Sequence, residues 1–266
     1  MTGLIDLVTP PAVHRPAGHV IGPAEVLDLS MEAAAARGAD RAVHSLSGAL
    51  PPLRLPPGTR RACLRVYAIL SPDWEYRYYS FNSAWAEGEE MASMRNGSGD
   101  EYSIVFSAAG AYVRGFDHES PMSLGANDGE VWPGVIDGVP THFRSCVEEP
   151  AFSNGDHVPA VTACIWRETA DTRWRHGTID FPAGYDDPDG ANRLFHLLTD
   201  PSPKAYQRFA EDYYEVPVNH AAVRRVYALR PLSPALVSGL NEATSLSAVA
   251  EEIRGIGYSG LQRSSS

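Results

Sequence analysis

Asp117-His118-Glu119 is the densest run of chemically versatile side chains in this 266-residue sequence. An imidazole flanked by two carboxylates has the groups needed to bind metal or to act as a general base. Spacing excludes the metalloprotease form of that chemistry. Pro121 forbids the helix that an HExxH pattern requires, and no second histidine follows at i+4. If the three residues continue a strand, Asp117 and Glu119 point to one face and His118 to the other, so they converge only where the chain bends. The expectation is a polar strand end that organises the next loop and holds no metal.

The other candidate motifs fail on context. Asn96-Gly97-Ser98-Gly99-Asp100 has the glycines to curl backbone amides around an anion, but no GxxxxGK[ST] pattern is present and the one lysine, Lys204, lies elsewhere. It reads as a flexible turn before a strand. Gly255-Ile-Gly257-Tyr-Ser-Gly260 matches GxGxxG as a string, yet that motif must leave a strand and open a helix, whereas this one ends a helix near the last residue. There is no GxSxG nucleophile elbow. Cys146 has Glu148 and Glu149 nearby, which disfavours a thiolate, and Cys164 sits in an apolar strand. The nine histidines show no mutual ligand spacing, and Asp186-Asp187 and Glu211-Asp212 read as solvated turn and helix faces. The candidate binding residues are therefore Arg95, Asp100, Asp117, His118 and Glu119, around one hairpin, with no cofactor implied and no catalytic residue assigned.

The elements that must position these residues begin near Ala62. Leu64, Val66, Ala68 and Leu70 alternate as a strand, and Trp74 to Phe81 reads as a second, aromatic one. Tyr102, Ile104 and Phe106 alternate in a third, Ala108-Ala109-Gly110 turns the chain, and Ala111 to Asp117 returns. Pro121 to Pro140 is loop, Thr141 to Glu149 a short helix, Val161 to Arg167 a buried strand and Thr178 to Phe181 a short edge strand. Beyond Asp200 the period becomes helical. Ser202-Pro203, Asn219 and Ser233-Pro234 are helix-start signatures, Tyr206, Phe209, Ala210 and Tyr213 share one face of the first of these helices, and Leu246, Val249 and Ile253 mark a last helix. Strands first and helices last predict an α+β fold, an antiparallel sheet with a C-terminal helical layer, over residues 61–266. Residues 1–60 are rich in Pro, Ala and Gly, with one helix expected after Pro23.

Composition narrows the class of function. The chain has 22 basic and 33 acidic residues, a formal charge of −11, and residues 1–60 contribute five of each sign, so the whole excess is carried by the rest. Such a surface repels nucleic-acid phosphates and anionic lipid and suits a basic protein partner. The near-exclusive use of arginine over lysine fits a GC-rich genome. Three widely spaced cysteines make no disulfide framework or zinc ribbon, and no secretory signal or apolar run of membrane-spanning length is seen, which predicts a cytoplasmic protein.

Two resemblances follow from particular segments. Trp74-Glu-Tyr-Arg-Tyr78, Met91-Ala-Ser-Met-Arg-Asn-Gly-Ser-Gly-Asp-Glu-Tyr102, Gly115-Phe-Asp-His-Glu-Ser-Pro121, Pro133-Gly-Val-Ile-Asp-Gly-Val-Pro140, Glu149-Pro-Ala-Phe-Ser153, Cys164-Ile-Trp-Arg167 and Ala210-Glu-Asp-Tyr-Tyr-Glu215 resemble a family of uncharacterised bacterial proteins over about residues 74–258. That likeness implies no activity. Gly97-Ser-Gly-Asp-Glu-Tyr102 with the hairpin ending in Asp117-His118-Glu119 also resembles the strand–turn–strand and His-Glu pair of the SUKH superfamily of bacterial immunity proteins. This chain departs from that pattern by placing strands ahead of the hairpin and by its helical tail. The resemblance implies a non-enzymatic interaction protein, an immunity or conflict-system component binding a basic protein. The alternative is an enzyme, hydrolytic in type, that uses the loop-rich region 95–132.

Overall fold

A computed structural model describes residues 69–71, 77–228 and 230–255. The expected N-terminal helix, Cys63, most of the first expected strand and Trp74 lie outside them. At Ile69 and Leu70 the backbone is helical, which corrects the strand expected through Leu70.

Five strands form one antiparallel meander in chain order: β1 Tyr79–Ala86, β2 Glu89–Arg95, β3 Glu101–Ser107, β4 Gly110–Phe116 and β5 Ala163–Glu168. The hairpin of β3 and β4 arises as its alternation predicts, with Ile104 opposite Val113 and Val105 opposite Tyr112. Across the next ladder Val113 faces Ile165 and Tyr112 faces Trp166. The period of two thus sorts the side chains into two sets, and both are buried. Ile104, Val113 and Ile165 join a core with the C-terminal helices; Val105, Tyr112 and Trp166 join a second core with Met122, Val135, Phe143 and Phe152 from the segments around β5.

The helices are short at first and longer toward the C-terminus: α1 Arg144–Val147, α2 Ala191–Leu194, α3 His196–Thr199, α4 Pro203–Tyr214, α5 His220–Tyr227, α6 Pro234–Leu240 and α7 Leu246–Gly255. Ser202, Asn219 and Ser233 each accept a bond from a first-turn amide, so the three expected caps start α4, α5 and α6. Tyr206 and Ala210 of α4, with Val223 and Val226 of α5, are buried against the sheet, while Phe209 is half-buried and Tyr213 exposed at the rim. The helix expected over Thr141 to Glu149 is a 3-10 turn, Thr141–Phe143, followed by α1. Residues 178–181 form no strand; instead β5 is capped by an isolated bridge between Trp166 and Arg175. Among the described residues no helix is long and apolar enough to cross a membrane.

Candidate functional site

The site is built where β3 begins, β4 ends and α2 starts. Asn96 shapes the turn before β3: its Oδ1 accepts from the amides of Ser98 at 2.8 Å and Asp100 at 3.1 Å, and its Nδ2 donates to Asp100 Oδ2 at 2.7 Å. Gly97 and Gly99 supply the positive φ values, 77° and 112°, that let the chain close. The turn is therefore a fixed support for Asp100, and the Ser98 and Asp100 amides are spent on a side chain instead of facing an anion.

At the other end of the hairpin β4 stops at Phe116. The Asp117 amide donates to Thr162 Oγ1 at 3.1 Å, and Asp117 Oδ1 takes the Glu119 amide at 3.0 Å, bending the chain within two residues. This bend overturns the alternating geometry expected for Asp117-His118-Glu119. His118 swings back to Asp100, whose Oδ1 binds both the His118 amide at 3.1 Å and ring Nδ1 at 2.7 Å. A C-beta on Gly99 would lie 3.1 Å from the His118 ring, so turn and imidazole are in contact.

Arg193 completes the cluster. It projects from α2, whose start is held by Asp187 accepting the amides of Asn192 and Arg193 at 3.1 Å and by Asp189 accepting that of Ala191 at 3.2 Å. Gly190, with φ of 70°, passes so close to Asp117 that any side chain there would collide with the carboxylate. The Arg193 guanidinium binds Asp100 through one terminal nitrogen and Asp117 through the other, the latter at 2.7 Å. Thr162 and Ser120 stitch the α2 loop to the sheet by donating to the carbonyls of Asp189 and Pro188.

The sequence groups Asp100, Asp117, His118 and Glu119 with Arg95 as candidate binding residues around one hairpin. The structure brings the first three together but buries Asp100 and Asp117, leaving His118 about 40% and Arg193 about 51% exposed. Glu119 is exposed, and Arg95 lies exposed at the end of β2, in register with Glu101. Arg193 was missed because it follows Asp117 by seventy-six positions; the Asp-Gly step at Asp189-Gly190 was the one local hint of a helix start.

The electrostatics follow from this packing. Burial pushes the Asp100 carboxyl up, but its bonds to Arg193 and His118 outweigh that and hold it at about 2. The Asp100 hydrogen bond raises the His118 pKa above its ordinary 6.5, with Glu119 and Asp117 adding to the effect. Because an ionised carboxylate only accepts, Nδ1 carries the proton at this contact, and Nε2 is the nitrogen open to another partner. Asp100, Asp117 and His118 bring their ligand atoms within 4.8 Å of one another, the spacing of a metal site. A guanidinium already bridges the two carboxylates, however, and a cation would have to displace it. The described thiols are poor nucleophiles: burial raises Cys146 to about 11 and Cys164 to about 12.

No family model, curated protein or solved structure matches the chain.

Proposed function

We propose that this chain is a non-enzymatic interaction protein that docks a basic protein partner on its acidic surface, an immunity or conflict-system component in the version the SUKH resemblance implies. The observation that carries this reading is the closure of the polar cluster on itself. Arg193 bonds to both buried carboxylates, Asn96 fills the turn, and the result is a braced junction between hairpin and α2. Such a junction suits the presentation of a fixed surface. Acidic residues outside it, among them Glu119, Asp186, Asp200 and Asp212, are exposed.

Attraction between an acidic face and a basic partner acts mainly on association. Partner capture from the native host at low salt is expected to recover a protein with a basic surface, whose association rate with this chain falls as salt shortens the ~10 Å Debye length of 0.1 M solution. An association rate insensitive to salt overturns the reading.

One observation favours the enzyme alternative: the His118–Asp100 pair is the arrangement that orients an imidazole for general-base work. Turnover of a small-molecule substrate that disappears in His118→Ala, with the fold intact, would replace the interaction reading by this one.

A further inference from the structure

The sequence holds two Asn-Gly steps, Asn96-Gly97 and Asn154-Gly155, and the fold gives both asparagines nearly the same hydrogen-bond scheme. In each, the side-chain Oδ1 accepts the amides two and four residues on: Ser98 at 2.8 Å and Asp100 at 3.1 Å in the first, Asp156 at 3.0 Å and Val158 at 2.9 Å in the second. The backbone amide of each asparagine donates to the carbonyl four residues on, of Asp100 at 3.2 Å and of Val158 at 2.9 Å.

Such a turn favours a reaction of the chain with itself. Glycine has no Cβ, so its backbone nitrogen can come close to the carbonyl carbon of the preceding side chain. When that nitrogen gives its proton to water and attacks Cγ, a C–N bond forms and Oδ1 takes the negative charge. The bond from Cγ to Nδ2 then breaks, Nδ2 takes a proton from water and leaves as ammonia, and a five-membered imide remains. Water opens the imide at either carbonyl, to aspartate or to isoaspartate. Two amides already aimed at Oδ1 stand where an oxyanion hole places its donors.

The two steps differ at the leaving group. Asn96 Nδ2 donates to the buried Asp100 carboxylate at 2.7 Å, and that charge-assisted bond must break before the nitrogen departs. Val158 stands at the matching place in the other turn, and among the described residues Asn154 Nδ2 makes no hydrogen bond. The turns differ in strain as well. The residue three positions on has a positive φ in both, 112° at Gly99 and 62° at His157, and only the glycine holds it without steric cost. Gly155 is exposed, and no atom lies within 4 Å of where its Cβ would be.

We propose that Asn154-Gly155 is a modification site of the native protein, converting with water to a mixture of aspartate and isoaspartate, and that Asp100 protects the matching step at Asn96. This is independent of what the protein binds. Isoaspartate would lengthen the backbone next to the bridge between Ser153 and Pro159, on the segment whose Ala160 carbonyl accepts from buried Arg114 at 2.8 Å.

The test incubates the full chain at mildly alkaline pH, folded or in denaturant, and follows both asparagines by mass spectrometry of tryptic peptides with the two acid products separated. In the folded chain Asn154 is expected to convert about ten-fold or more faster than Asn96, the rate equivalent of one hydrogen bond to a charged group, and in denaturant the two should converge. Gly155→Ala, which has room for its methyl group, should slow conversion at Asn154 strongly while leaving the melting temperature unchanged. Equal rates in the folded chain, or a faster Asn96, overturn the proposal. So does an Asn154 that stays intact in the folded chain while the denatured chain converts. Conversion unslowed in Gly155→Ala, or aspartate as the sole product, would show direct hydrolysis of the side-chain amide and overturn it too.

Discussion

His118 reports on the site through its proton. In a histidine titration followed by NMR, its pKa is expected above 6.5 in the native chain and to fall back toward that value in Asp100→Asn, which removes the carboxylate. An unchanged titration in the variant would show that Asp100 does not hold the ring. The same pair sets a pH dependence of stability. The Asp100 contribution is present above its unfolded value near 4 and is lost as pH falls toward about 2; the His118 contribution is present below 6.5 and is lost as pH rises through the raised folded value. Reversal of Asp100 to Lys would look harmless if Asp100 were an exposed turn residue. Because it is buried and bound to Arg193, the change should instead cost about 3 kcal/mol or more, read from chemical denaturation. What the sequence showed here was the polar types; what it hid was their convergence, since the bend at Asp117 and the arrival of Arg193 depend on contacts with Thr162 and α2.

At the scale of elements, local signals were the legible ones. The alternation of β3 and β4 and the capping residues of α4 to α6 act within a few positions, and each appears where expected. Ser202→Ala should therefore cost about 1 kcal/mol by removing the bond from the Ala205 amide, measured as a shift in the denaturation midpoint. β2 was not expected, because Glu89 to Arg95 mixes charged and apolar residues without clean alternation; it is a strand because β1 and β3 pair with it on both sides. The reverse holds at residues 178–181, where the sequence suits a strand but, among the described residues, no strand pairs with it. Helix phase was right for Tyr206 and Ala210 and too generous for its margins. Phe209 packs on Tyr78 at 4.7 Å and Tyr79 at 5.5 Å yet is only half-buried, so Phe209→Ala should cost about 2 kcal/mol, less than the ~3–5 of a fully enclosed ring. A loss as large as the upper figure would mean that the rim is closed in solution.

For the molecule as a whole, the sequence foresaw a sheet with helices on one side and did not foresee that its other side is covered too. Loops such as 121–140 read as surface punctuation, yet Met122, Val135 and Val139 enter the second core. Cys164 lies in that core, fully buried. In a Cys63→Ser background, labelling of the remaining thiols under native conditions is expected to run no faster than unfolding of the sheet, and rapid labelling of Cys164 would show that this second layer opens independently.

Every strand pairs with its neighbour in the chain, but the joints differ in what it takes to close them. β1 to β4 are linked by short turns, whereas forty-six residues separate the end of β4 from the start of β5. Closing a long loop costs entropy that must be met before the contacts it permits are made. The four-stranded part should thus assemble early and β5 should dock late, bringing the second core with it. In chevron measurements Ile165→Val is then expected to speed unfolding with little effect on refolding, while Ile104→Val, on β3, slows refolding. The strand that completes the sheet would in this way set how long the native state lasts, and the hairpin beside it how quickly that state is reached.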